Sequence, residues 1–218
     1  MGMHPLSRIS YFSRLTEPEL AGLESRLVEK RFAKGETLFQ EGDPATGLWI
    51  MKSGRVSILR SPLNGMTLLT EAFRDGEVFC PLPLLDGKPY PCTATAATDC
   101  VMWYMPASDF LAVMRRSAPL TQATFGYVAD RLRYYEDAHA GSQSDVPARV
   151  ARAILQMRVK FGDTIRLTRT ELAQMAGTTM ESAYRTTSKF ARQGLIKTGR
   201  GSLTILKPLK LTQIAQGS

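Results

Sequence analysis

The chain has 218 residues, 44% of them hydrophobic and 22% charged, which is enough for two domains that each bury a core. Its net charge of +8 is unevenly placed: 15 Lys and Arg stand against 16 Asp and Glu through Ser144, and 13 against 4 from Asp145 onward, so a polyanion is expected to meet the C-terminal third. No apolar run has the length of a membrane span and the N-terminus MGMHPLSRIS lacks a signal-peptide core, so a cytoplasmic protein is expected; three cysteines without a CxxC pair, and two histidines, His4 and His139, argue against a disulfide framework, a zinc site or any metal.

Leu15, Leu20, Leu23 and Leu27 fall at helical spacing, with Thr16 as a cap, so residues 6–28 are predicted to form short helices. From Glu29 the period shortens. Runs at 31–33, 36–39, 48–52, 55–60, 66–72, 77–79, 93–97 and 101–105, most of them separated by Gly35, Gly42, Gly47, Gly54, Gly65 and Gly76, predict a β-roll, jelly roll or small barrel. Asn64-Gly65 suits a hairpin tip. Pro81, Pro83, Pro89 and Pro91 keep 81–91 out of a central strand, so a loop or short helix projecting from the sheet is expected there, a natural place for a ligand.

A short helix is expected at 108–114 and a long one from Pro119 to about Ala140. On the long helix Phe125, Val128, Leu132, Tyr135 and His139 alternate steps of three and four, the seam of a two-stranded coil, and a second copy of the chain is the expected partner. His139 reads as a packed or partly exposed residue rather than a ligand. A hinge at 141–144 leads to Asp145, which can cap a helix over 146–160 with a core face of Val150, Ile154, Leu155 and Met157.

After a short strand at 164–167, residues 168–196 read as a helix-turn-helix. Thr168 and Glu171 form a capping box, Gly177 ends the first helix, and Thr178 or Thr179 caps a second whose inward residues are Ala183, Thr187, Phe190 and Ala191. Its outward residues include Met180, Glu181, Tyr184, Arg185, Ser188 and Lys189, where an Arg can take a guanine edge and a Glu can accept from a cytosine amine. Glu181 could instead complete a capping box with Thr178. A hairpin through Gly199 and Gly201 makes a wing with Arg200 at its tip; Arg169 and Thr179 complete the expected DNA contacts.

The segment KGETLFQEGDPATGLWIMKSGRVSI (34–58), the hinge Asp145-Val146 and TMESAYR (179–185) together resemble the CRP/FNR family of bacterial transcription regulators over nearly the whole chain. The resemblance implies an α+β protein: a double-stranded, cyclic-nucleotide-binding-like β-roll sensor domain (1–117), a dimerisation helix and hinge (118–144) and a winged helix-turn-helix DNA-binding domain (145–218). It implies a homodimer that activates transcription from double-stranded DNA by touching RNA polymerase, and it gives Glu181 and Arg185 the reading of each half-site. Members that read a leading guanine have an Arg before that Glu. Met180 stands there instead, as in FNR-like members, so a palindrome with a TTGA-like half-site is expected.

Where cyclic-nucleotide-binding relatives carry an FGE segment and a later RSA, this chain has Phe79-Cys80-Pro81 and Cys92-Thr93-Ala94. The Glu for the ribose and the Arg for the phosphate are missing, and an unneutralised phosphate in a sheltered pocket is costly. Cyclic AMP is therefore not expected as effector. Cys80, Pro81, Leu82, Cys92, Thr93 and Tyr135 are the candidate pocket residues for an unknown small molecule, or there is no effector. No cysteine precedes Cys80, against an FNR-type cluster. Phe79-Cys80 resembles the segment by which a carbon-monoxide-sensing branch holds haem, though Leu82 replaces the His, so haem or a thiol sensor remains the alternative. A cupin-like enzyme would need histidines on the strands, and none lies between Arg8 and Ala138, so no enzymatic activity is expected.

Overall fold

The computed structural model describes residues 5–61, 67–140 and 144–217, with 134–140 as backbone. The expected hairpin tip at Asn64-Gly65, most of the hinge, and the side chains of Tyr135 and His139 lie outside these residues. Contacts divide the chain into two compact units, 1–60 with 72–135 and 61–71 with 136–218.

The first unit is the predicted roll. Strands β1 (Val28–Phe32), β8 (Cys100–Pro106), β3 (Gly47–Ser53) and β6 (Val78–Phe79) form one sheet in that order, and β2 (Thr37–Phe39), β7 (Thr93–Ala96), β4 (Arg55–Arg60) and β5 (Leu68–Arg74) form the other. β3 is buried on both faces, as its unbroken apolar run requires. Trp49 and Met51 point into a core joining the two sheets with Phe39, Val56, Ile58, Phe73, Phe79, Tyr90 and Met102. Leu48 and Ile50 face a second core, built with Leu6, Phe12, Leu20 and Leu23 of the N-terminal turns and helix α1 (Glu17–Glu24). That core also takes Phe110 of α3 (Ala107–Met114) and Leu120 of α4 (Ala118–Ala140).

The proline-rich segment holds a short helix, α2 (Leu82–Asp86), as one of the two expected outcomes. It does not simply project, because Tyr90 at its end is drawn into the roll. Its ring stacks on Phe39 with centroids 3.8 Å apart, while its hydroxyl accepts from Trp49 Nε1 (3.1 Å) and donates to the Gly47 carbonyl (3.2 Å). Four prolines fix the chain's path there, and an aromatic ring with its hydroxyl satisfied is stable inside.

Tyr11 is tied to α4 through a 2.7 Å hydrogen bond with Thr124, and burial pushes its phenol from 10 up to about 12 despite that bond. The folded form thus keeps a proton that the unfolded chain releases above pH 10. The stability contribution is complete below pH 10 and is lost as pH rises through about 12, a loss of order 2 kcal/mol. Urea unfolding of the wild type and Tyr11→Phe between pH 9 and 12 should show the wild type falling more steeply; parallel curves would refute this.

The second unit is built on α5 (Val146–Phe161), whose N-cap Asp145 accepts from Ala148 N at 2.9 Å. Val150, Ile154 and Met157 are buried as expected, whereas Leu155 is half-exposed. β9 (Thr164–Arg166) joins the wing strands β10 (Ile196–Gly199) and β11 (Ser202–Ile205) in a sheet ordered β10-β11-β9, so the wing gains a third strand. A helix not anticipated in the sequence, α8 (Pro208–Ala215), packs on α5. The start of β5 belongs to this unit as well: Lys160 Nζ of α5 donates to the buried Glu71 carboxylate at 3.0 Å.

Candidate nucleic-acid interface

Helix α6 (Arg169–Met175) begins with the predicted capping box. Thr168 Oγ1 accepts from Glu171 N (3.1 Å), and the Glu171 carboxylate accepts from the Thr168 backbone N–H (2.8 Å). The turn passes through Gly177 at φ +56° into α7 (Met180–Arg192). Thr179 is the cap, accepting from Ser182 N at 3.2 Å. The third helical residue is therefore Ser182, and Glu181 is not engaged in a capping box with Thr178.

The face of α7 against the unit's core carries Ala183, Thr187 and Phe190 as expected, and also Thr186; Ala191 is only half-buried. The two threonine hydroxyls donate to the carbonyls of Ser182 and Ala183, each at 2.9 Å, which makes their burial affordable in hydrogen-bond terms. Sequence patterning reads threonine as polar and misses Thr186 for that reason.

On the other side Met180, Glu181, Tyr184, Arg185 and Lys189 are exposed and Ser188 is half-exposed. Glu181 and Arg185, one turn apart, stand 3.8 Å from each other with most of each side chain in solvent. Tyr184, Arg185, Ser188, Lys189 and Arg192 line an open hollow along the helix. Arg192 was not among the residues expected from sequence, although its spacing of seven from Arg185 could have placed it there. Arg169 lies over the Tyr184 ring, and Arg200 is exposed at the wing tip between Gly199 and Ser202.

Not all the basic charge counted in the sequence serves this face. Arg149 donates to the carbonyls of Ala176 (2.9 Å), Gly177 (3.3 Å) and Ser144 (2.6 Å), satisfying the end of α6, and Arg152 donates to the Ala215 carbonyl (2.7 Å) at the end of α8. Arg158 pairs with Asp163 at 2.6 Å and Lys160 with Glu71. The basic side chains left exposed include Arg185, Lys189 and Arg192 of α7, Lys197 and Arg200 of the wing and Arg169 of α6, with Arg166, Lys207 and Lys210 exposed elsewhere in the unit.

In the roll, Pro81 and Cys92 are buried and Cys80 and Thr93 half-buried. Leu82, by contrast, is 41% exposed at the first position of α2. Cys80 has φ +59°, the only positive value outside glycine among the described residues, a left-handed conformation that costs a residue with a side chain about 1 kcal/mol. Thr93 Oγ1 accepts from Glu41 N at 3.0 Å. Arg131 of α4, unnoticed in the sequence, places its guanidinium 5.9 Å from the Phe73 ring and 5.8 Å from that of Tyr127. Burial raises the Cys100 thiol above its usual value, and its sulfur donates to the Arg55 and Thr98 carbonyls. Lys88, the cation closest in sequence to Cys92, pairs with Asp86 at 3.4 Å. Among the described residues there is no group of three His, Cys, Asp or Glu side chains able to hold a metal, and no helix is long and apolar enough to cross a membrane.

A β-roll followed by a long helix and a winged helix-turn-helix with a basic recognition face defines a DNA-binding regulator of transcription. The cyclic nucleotide-binding domain family matches residues 29–117, and the Crp-like helix-turn-helix domain family matches residues 148–214. The chain is 28% identical to the cyclic AMP receptor protein of Thermus thermophilus over 203 residues, 92% of this chain and 94% of that one. It is 28% identical to the CRP-like cAMP-activated global transcriptional regulator of Mycobacterium tuberculosis over 220 residues, 97% and 98% of the two chains. The solved catabolite activator protein of Thermus thermophilus aligns with a TM-score of 0.56 at 27% identity, covering 95% of this chain and 98% of that one. FixK2 of Bradyrhizobium japonicum shares the fold at a TM-score of 0.78 and 20% identity, covering 86% and 96%. The chain belongs to the CRP/FNR family of transcription regulators, which are not enzymes.

Proposed function

We propose that the chain is a homodimeric activator that binds a palindrome with a TTGA-like half-site and does so without cyclic AMP. The observation that carries the reading is the recognition face of α7, where Glu181 and Arg185 stand exposed side by side on a helix pinned by Phe190 and Thr187. Arg169, Thr179, Met180, Tyr184, Ser188, Lys189 and Arg200 surround them as base or phosphate contacts. Met180 in place of an Arg favours the shortened core. Dimerisation is supported by α4, on which Phe125 is 69% and Leu132 59% exposed in the single chain, an apolar seam suited to a second copy. Two-fold symmetry would set the recognition helices about 34 Å apart. Contact with RNA polymerase is the family's means of activation and is proposed on that ground alone.

The two relatives described above are named for cyclic AMP, but here Pro81 and Cys92 supply neither a ribose acceptor nor a phosphate partner. Selection from a randomised duplex library by the purified, ligand-stripped protein tests the whole reading. Paired TTGA-type half-sites are expected without added nucleotide. Recovery of TGTGA half-sites with a strict leading TG, or binding that appears only with cyclic AMP, would overturn it.

A further inference from the structure

The recognition face carries two parallel rows, and the second is apolar. Met180 and Tyr184 are one helical turn apart, 55% and 48% exposed, and lie beside the polar row of Glu181 and Arg185. Both are braced by the start of α6. Thr170 Oγ1 donates to Met180 Sδ at 3.1 Å, and the Arg169 guanidinium lies 4.4 Å from the centroid of the Tyr184 ring. Two large apolar side chains on a solvent-facing helix, each held by its own partner, are preorganised for contact rather than left loose. The surrounding charge is Arg185, Lys189 and Arg192, so the complementary surface is a polyanion. The apolar feature that a DNA major groove offers is the C5 methyl of thymine.

We infer that Met180 and Tyr184 form a braced apolar row that reads thymine methyl groups, and that Arg169 positions Tyr184 while keeping its in-plane N–H groups for phosphate. The inference rests on the base-reading role proposed above and names the chemical group read. Part of the specificity then comes from methyl burial, independent of the hydrogen bonds of Glu181 and Arg185.

The test replaces each thymine of the selected site, one at a time, by deoxyuridine, which removes only the methyl group, and measures binding of the full-length protein. At one or two positions per half-site the affinity should fall about three- to fivefold, the effect of one desolvated methyl. Met180→Ala and Tyr184→Ala, with folding checked by circular dichroism, should each weaken binding to thymine DNA and erase the deoxyuridine effect at one such position. Arg169→Lys keeps the charge but loses the planar stack. It should reduce the Tyr184-dependent effect while leaving the salt dependence of binding unchanged. Specific binding with no thymine sensitive to methyl loss, a selected half-site lacking thymine, or deoxyuridine effects that persist in both alanine variants would overturn the inference while leaving base reading in place. Absence of any sequence selection would overturn both.

Discussion

Arg185→Glu should abolish sequence-specific DNA binding and leave the fold intact. The side chain is 69% exposed and its contacts within the chain are long, 3.8 Å to Glu181 and 3.4 Å to Ser182 Oγ, so replacing it costs little stability, within about 0.5 kcal/mol. In the groove the loss is larger. A bidentate Arg on a base contributes about 1–3 kcal/mol of discrimination, and the new carboxylate would sit one turn from Glu181 in a field of phosphates. A loss of at least a hundredfold in affinity for the selected site is expected, read by fluorescence anisotropy, with an unchanged thermal melt. Binding within tenfold of wild type would refute the base-reading role of Arg185.

Gly54→Ala should strike the roll instead. Gly54 turns β3 into β4 at φ +103°, and a Cβ there would stand 2.5 Å from the Asp99 carbonyl oxygen, 2.8 Å from Cys100 Sγ and 3.0 Å from Cys100 Cα. Two of these three neighbours are backbone, and that backbone is anchored: Asp99 accepts from Lys34 N (2.8 Å), Thr98 Oγ1 accepts from Arg55 N (2.9 Å), and Ala97 N donates to the Arg55 carbonyl (2.8 Å). Relief requires separating two turns that hold each other, so a destabilisation of about 3–5 kcal/mol is expected. Gly42→Ala separates strain from collision, because its φ is similar at +92° but nothing lies within 4 Å of the added carbon. It should cost only about 1–2 kcal/mol. Equal denaturation midpoints for the two variants would refute the steric account.

The parts of the fold legible in the sequence are those with a local signal. Alternation and glycine turns place most strands of the roll, and Thr16, Asp145, Thr168 and Thr179 mark helix starts because capping needs a hydroxyl or carboxylate at one defined position. The exposed row of α7 follows from the same helical period. What escapes is set by distance in sequence. Nothing near Arg149 announces that it closes α6 across 27 residues, or near Lys160 that it meets Glu71 across 89. A charge count treats all four arginines and the lysine of α5 and α6 alike, whereas the structure commits Arg149, Arg152, Arg158 and Lys160 to contacts within the protein and leaves Arg169 for the interface. Tyr90 escapes because prolines dominate its neighbourhood and its partners, Phe39 and Trp49, lie on distant strands.

The DNA-binding unit is not a continuous stretch of chain. Leu68, whose side chain lies 3.8 Å from the place of a Cβ on Gly177, and Glu71, which holds Lys160, come from residues 61–71. A fragment begun at Asp145, the boundary at which a sequence-minded cloning scheme would cut, therefore discards Leu68 beside the helix-turn-helix turn and the buried Glu71 carboxylate that pairs with Lys160. Such a fragment would be a damaged piece rather than a minimal domain, and its silence in a binding assay would say nothing about the recognition helix.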